Sequence, residues 1–231
     1  MKAILLLSIL INLTNFITTN NKDEENFASN SFKDYLSTFT QRSLPIKFDR
    51  VTTFSYMSVL ISDTLDMQMR KTPYPQIDDK YSKFIPQKLW KDKKTSSLRS
   101  IFVFPENDGV IPVIIGLDEF RDFDDKEQNI LKLYFITYDK NGKVISYINL
   151  AGYNLDLWEQ FATINNTKTI KTFKYFYDDS IPENPLYYSF KEIETLYRVD
   201  NEGNILKMNE QKKVGYFKER GKYGYIFIKG I

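Results

Sequence analysis

Between Leu131 and Leu150 the chain reads LKLYFITYDKNGKVISYINL, two runs of β-branched and aromatic residues around Asp139-Lys140-Asn141-Gly142. Asn141 and Gly142 tolerate the positive φ of a tight connection, and Asp139 can bond its own turn backbone. The segment therefore predicts a β-hairpin. The same chemistry returns where Leu196-Tyr197-Arg198-Val199 enters Asp200-Asn201-Glu202-Gly203-Asn204, and a third version stands at Glu219-Arg220-Gly221-Lys222. Strands are expected over 100–104, 110–117, 130–138, 143–150, 157–164, 168–177, 186–199, 204–208, 213–218 and 223–228. Short strands joined by turn signals fit a sandwich, a barrel or a strongly curved meander. Along 168–177, Ile170, Thr172, Lys174 and Phe176 share one face, and Lys171, Phe173, Tyr175 and Tyr177 share the other. Both faces are partly apolar, so the sheet needs cover on both sides.

The first hundred residues supply that cover. Ser31-Phe32-Lys33-Asp34 resembles a capping box, and Phe32, Tyr35, Leu36 and Phe39 fall at the spacing of one helical face, predicting a helix over 31–40. Pro45 favours extended backbone just before it. Val51 to Tyr56 reads as a strand, while Val59, Leu60, Ile61, Leu65 and Met69 also fit a helix. A second short helix is expected over 77–85, capped by Asp78 and stopped before Pro86. The expected fold class is α+β, mainly β: two short N-terminal helices followed by a large antiparallel hairpin-built sheet, a sandwich or partly closed barrel. It is expected as a single β-rich domain over 31–231, with helical cover at 31–99 and the sheet at 100–231.

Ahead of that domain, Lys2 precedes the apolar run Ala3-Ile4-Leu5-Leu6-Leu7-Ser8-Ile9-Leu10-Ile11. A run of about nine residues is far short of the roughly 20 that span a bilayer, and it suits a secretory signal over 1–20. A polar leader, 21–30, follows. The expected location is secreted or periplasmic, with no stable membrane insertion once the signal is cleaved.

Composition narrows the chemistry. With 0 His and 0 Cys, the chain has no Ser-His-Asp triad, no Cys nucleophile, no Cys or His zinc ligand and no disulfide framework. The formal net charge of +2, from 32 basic and 30 acidic residues, is not the footprint of a nucleic-acid binder. Any catalysis must use carboxylates, Lys, Tyr or hydroxyl groups. A glycoside hydrolase would need two acids facing each other across a cleft. Glu192 and Glu194 lie two apart on one strand, and Asp178, Asp179 and Glu183 lie in a Pro-containing loop.

Asp122, Asp124, Asp125 and Glu127, in the acidic stretch from Asp118, are the candidate Ca²⁺ ligands, because hard cations prefer carboxylate oxygens. The stretch lacks the offsets of an EF-hand, its first reading is a solvated acidic turn, and no other cofactor is indicated. Tyr175, Tyr177, Tyr187, Tyr188 and Trp90 are the candidate ligand-stacking residues, for a glycan or a protein partner. Core packing is the competing use of the same rings. Trp90 sits in the basic stretch Lys88 to Arg99, which also reads as a solvated connector.

The apolar start, Phe32-x-x-Tyr35-x-x-x-Phe39 leading to Leu44-Pro45, the phrase Tyr138-Asp139-Lys140-Asn141-Gly142-Lys143-Val144-Ile145 and Tyr197-x-Val199-Asp200-x-x-Gly203-x-Ile205 occur together. In this combination the chain resembles uncharacterised exported proteins of Gram-negative bacteria. The resemblance implies export and a β-rich fold, and it carries no functional residue. Many of those proteins have a lipoprotein cysteine, which this chain lacks. The expected function is an exported, non-enzymatic binding protein for a protein or glycan. The alternatives are a carboxylate-dependent glycoside hydrolase or an inhibitor or immunity-type protein.

Overall fold

The computed structural model describes residues 31–56, 74–91, 96–123, 126–154, 157–166, 168–177, 180–220 and 224–231. The expected signal (1–20), the expected leader (21–30) and all of the ambiguous stretch after Tyr56 lie outside them.

The described residues ahead of Ser96 carry four short helical segments, not two. The first, α1, occupies 31–37. It stops before Thr40 because Thr40–Gln41 forms β1, parallel to the strand Ser96–Val103, with Thr40 opposite Phe102. The strand β2, Ile46–Phe48, pairs with the strand Trp158–Ile164. Residues expected as a strand from Val51 instead form α2, Arg50–Tyr56. The cause is the residue before it. Asp49 Oδ1 accepts the Thr52 N–H at 2.9 Å, and Thr52 Oγ1 accepts the Asp49 N–H at 2.8 Å. That reciprocal cap outweighs local strand propensity. The 3₁₀ segment η1, Asp79–Phe84, is capped by Asp78 as expected and buries Tyr81 and Phe84. A further helix, α3, Gln87–Lys91, follows Pro86.

Among the described residues the sheet has eleven strands. After β3 (Ser96–Val103) come β4 (Val110–Phe123), β5 (Lys126–Asp139), β6 (Val144–Asn154), β7 (Trp158–Ile164), β8 (Thr169–Tyr177), β9 (Tyr188–Val199), β10 (Ile205–Glu219) and β11 (Tyr225–Gly230). Their order is β1-β3-β4-β5-β6-β7-β8-β9-β10-β11, with β2 attached off this path to β7. Every pairing except β1 with β3 is antiparallel. The ladder is open: among the described residues no pairing joins β1 to β11, so neither a closed barrel nor two separate sandwich sheets is formed. The strands expected at 204–208 and 213–218 are one strand, β10. Asn209 to Lys212 contain no turn residue pair, and they pair with Leu196 to Ile193 across a single irregularity near Met208. Because β11 pairs only with Gly215 to Glu219, no strand among the described residues lies beside the outer edge of β10 from Leu206 to Val214.

The two complete turns follow the sequence. At the first, Asp139 Oδ1 accepts the N–H groups of Asn141 and Lys143, each at 2.9 Å. At the second, Asp200 Oδ1 accepts from Glu202 and Asn204 at 3.0 and 2.8 Å. Only Gly142 and Gly203 in these turns take positive φ, +85° and +87°; Asn141 does not.

Alternation along β4 and β5 divides the core. Ile111, Val113, Ile115 and Leu117 of β4 join Ile136 and Tyr138 of β5 against Phe32, Tyr35, Tyr81, Phe84 and Leu89 of the helical cover. Tyr138 fixes that cover, donating its hydroxyl to the Phe84 carbonyl at 2.8 Å and lying 3.4 Å from the Tyr35 hydroxyl. Burial pushes both phenols well above the ordinary tyrosine range. Ile114, Leu131, Leu133 and Phe135 build a second cluster with Phe48, Ala162, Ile164, Ile170 and Val199, from strands far along the order. The fully buried Thr137 hydroxyl donates to the Gly203 carbonyl at 2.7 Å, tying β5 to the β9–β10 turn. The open sheet therefore folds over on itself and packs one half against the other.

Gly142 provides a test of the first turn. A Cβ there would lie 2.6 Å from the buried Phe32 ring and 2.9 Å from Phe84, in a left-handed backbone. Gly109, at φ +77°, has open space around it. Gly109→Ala is expected to cost about 1 kcal/mol from backbone strain alone, and Gly142→Ala about 2–4 kcal/mol from strain plus overpacking. Urea unfolding of both variants checks the ranking.

Candidate functional site

Cross-strand register assembles an aromatic and charged face at the β7–β11 end of the sheet. Glu159, Tyr175, Glu192 and Lys213 form one row across β7, β8, β9 and β10. Tyr177 lies opposite Phe190, and Phe217 lies opposite both Tyr188 and Phe227. Phe190, only 1% exposed, is the hub. Tyr225 and Tyr177 meet it edge-on with centroids 4.6 and 4.7 Å away, and Tyr188 stacks on it at 5.9 Å with 9° between planes.

Three of the five aromatic ligand candidates fall in this cluster, one buried and two exposed. Tyr175 is buried within the cluster, with its phenol pushed far up by burial and by Glu192. Tyr177 and Tyr188 remain 42% and 46% exposed. Tyr187 is half-buried in an isolated bridge with Asn184. Trp90 lies on α3, packed against the first core cluster, and is remote from these rings in the fold.

The carboxylates of this face are matched by cations. Arg50 Nη2 donates to both Glu159 oxygens at 2.8 Å and to the Tyr225 hydroxyl at 2.7 Å, while Nη1 pairs with Glu219. Burial raises the Glu159 carboxyl, and the Arg50 hydrogen bonds oppose the rise. Glu192 pairs with Lys213 at 3.3 Å, and Glu194 with Lys171 at 2.7 Å. The Glu192 and Glu194 pair suggested for hydrolysis is therefore divided between two lysines. Glu183 is exposed, and Asp178 and Asp179 lie outside the described residues. A cavity beside Arg50, Thr53 and Glu159 has about 10 Å³, too small for any sugar. Sequence reasoning missed Arg50, whose partners at 159, 219 and 225 become neighbours only through the register.

The acidic stretch is not a loop. β4 and β5 extend through it, with Asp122 opposite Glu127 in the ladder, because the β4–β5 pairing continues for the full length of both strands. Asp124 and Asp125 lie outside the described residues. Among the described residues no group of three or more acidic side chains is arranged to hold a metal. Asp118, at the start of the stretch, is 3% exposed, and its Oδ1 has no hydrogen-bond partner among the described residues. Burial pushes its carboxyl up to about 6, against the opposing charge of Arg99.

Two further concavities had no sequence signal. They measure about 590 and 360 Å³ and share Ser43, Phe104, Pro105 and Glu106 as a common rim. The larger is lined by Gln41 and Arg42 with Leu36, Val103 and Ile111 from the helical-cover side of the sheet. The smaller is lined by Asn107, Asn166 and Lys168 with Phe135 and Ile164 from the other side, where the β3–β4 and β7–β8 turns come together.

Comparison with protein-family models, with curated proteins and with solved structures finds no match. Among the described residues, no helix is long and apolar enough to cross a membrane.

Two substitutions test the electrostatics. The Asp118 pKa lies above its unfolded value of about 3.9, so the folded state binds the extra proton between the two values. Its contribution to stability is greatest below about pH 4 and is lost as pH rises through about 6. Asp118→Asn is expected to stabilise the protein at pH 7.5 by on the order of 1–2 kcal/mol, after allowance for screening, and to change little at pH 4. Denaturant melts at the two pH values decide this. Arg50→Ala leaves Glu159 buried without its main partner and is expected to cost about 2–4 kcal/mol at pH 7.5. The loss should shrink as the pH is lowered and Glu159 takes up a proton, read from the same series of melts.

Proposed function

We propose that the protein is an exported, non-enzymatic binding protein whose partner is another protein chain, engaged at the β9–β11 end of the sheet. One observation carries this reading: Tyr177 and Tyr188 stand exposed on a fully packed aromatic base beside a terminal strand that is apolar on both faces. Ile226, Phe227 and Ile228 of β11 are 43%, 39% and 45% exposed. Rigid aromatic rings on a fixed support lose little entropy on contact and are typical anchors of protein interfaces. An exposed strand edge adds main-chain donors and acceptors that an extended partner segment can satisfy.

Two further features support binding over hydrolysis. The carboxylates of this face are held by Arg50, Lys171 and Lys213, which favour their ionised form and occupy their oxygens. The space beside Glu159 admits no substrate. Export rests on the apolar run from Ala3 to Ile11 and on the resemblance described above.

A photo-crosslinking amino acid placed at Tyr188 in the full chain, expressed in its own host, should yield a discrete adduct with a partner protein. The same group at exposed Lys140 should yield none. Once that partner is purified, Tyr188→Ala is expected to weaken binding tenfold or more while lowering unfolding stability by less than about 1 kcal/mol. Absence of any adduct at Tyr188, or unchanged affinity in Tyr188→Ala, would sink the proposal.

A further inference from the structure

We infer that the outer edge of β10 between Leu206 and Val214 receives an extended acidic segment of the partner protein, added antiparallel as a further strand of the sheet. The inference rests on the protein-partner reading above and names what that partner brings to this end of the sheet.

The backbone sets the slot. The Val199 N–H bonds to the Lys168 carbonyl, so Val199 and every second residue before it along β9 direct their main-chain groups to β8. The residues between, Leu196, Glu194 and Glu192, direct theirs to Asn209, Gln211 and Lys213 of β10. Glu210, Lys212 and Val214 are left with N–H and C=O groups pointing away from β9. The next residues in this phase, Tyr216 and Lys218, face Lys229 and Ile226 of β11. That strand ends at Gly230, opposite Gly215. The slot therefore continues the line of β11, with a fixed phase and one closed end.

Charge selects the occupant. The slot carries Lys207, Lys212 and Lys213 against Glu210, which is itself bridged by Lys207 and Lys212. The register also sets Lys191, Lys207, Lys212, Lys218 and Lys229 on one face of β9, β10 and β11, where Glu210 is the only acid among the described residues. Lys191, Lys218 and Lys229 make no ion pair with a described residue. Lysines along an edge reject apolar and basic strands. They leave it open to a strand with carboxylates at alternate positions. In an antiparallel pair those acids lie on the lysine face when their own N–H groups bond to Glu210, Lys212 and Val214. A second copy of this chain would instead bring a second excess of lysine.

The test uses the full chain and labelled peptides of about nine residues, the length of the slot at about 3.4 Å per residue, read by fluorescence anisotropy. An alternating Thr-Glu peptide is expected to bind saturably. Alternating Thr-Lys, and Thr-Glu N-methylated at every glutamate, should each bind at least tenfold more weakly. Glu210→Gln removes an opposing charge and should tighten Thr-Glu binding about twofold. Glu210→Pro removes the same charge together with an outward N–H and should weaken binding at least tenfold, whereas charge attraction alone predicts tightening. Proline is tolerated where a strand N–H faces outward, so the melting temperature of Glu210→Pro should stay within about 5 °C of the parent. Lys212→Glu should also weaken binding at least tenfold. No saturable binding of Thr-Glu, equal affinity for its N-methylated form, or full affinity in both Glu210→Pro and Lys212→Glu would overturn the inference. So would a self-associated protein that Glu210→Pro makes monomeric, since a second copy would then fill the slot. A Tyr188 adduct without peptide binding removes this inference alone; peptide binding without the adduct removes the Tyr188 reading and leaves the slot.

Discussion

The structure depends on the continuous antiparallel pairing of β4 and β5, from Val110 opposite Asp139 to Phe123 opposite Lys126. Backbone groups buried on both faces of a sheet must find their partners within it, since no water is there to replace them. This ladder supplies those partners along its whole length. Its alternation then sends Val113 and Ile115 toward the helical cover and Ile114 toward the strands of the other half. Both core clusters are thus read from one register. A slip of one residue would exchange them and place Asp118 on the wrong side.

The aromatic end of the sheet is a consequence of the same kind of order, carried through β7 to β11. Charged residues there are not scattered over the surface; they sit in cross-strand rows, where Glu159 and Glu192 are nearly buried and Arg50 and Lys213 reach them from outside. Arg50 is the long-range member. It comes from the short helix after β2 and joins β7, β10 and β11 through one guanidinium. A planar group with several donors can do this where a lysine ammonium would not.

Much of the sheet was legible in the sequence because its signals are local. The Asp139 and Asp200 turns each need an acceptor two residues before a backbone donor and a glycine at one position, and both are visible in a few residues. The Phe32 and Tyr35 stripe likewise announces a buried helical face. What failed was one short-range competition and one long-range pairing. A strand-like run from Val51 became a helix because Asp49 and Thr52 cap each other. The acidic stretch read as a loop because charge suggests solvent, yet pairing with β5 draws it into the ladder. Of the aromatic face, the sequence singled out Tyr175, Tyr177 and Tyr188 as rings close to one loop. It did not show Arg50, Phe190, Phe217 or Tyr225 beside them, because those positions become neighbours only through the register of β7 to β11.

The open edge of β10 has a consequence for how copies of this chain meet. If two such edges paired antiparallel about Glu210, that carboxylate would face its own image, and Lys207 would face Lys213. Within each chain Glu210 is already bridged to Lys207 and Lys212. Like charges placed directly opposite destabilise a strand pair. The charges on this edge thus oppose symmetric joining in that register, whereas pairing about Gln211 would set Glu210 opposite Lys212, so charge here selects a register and does not seal the edge.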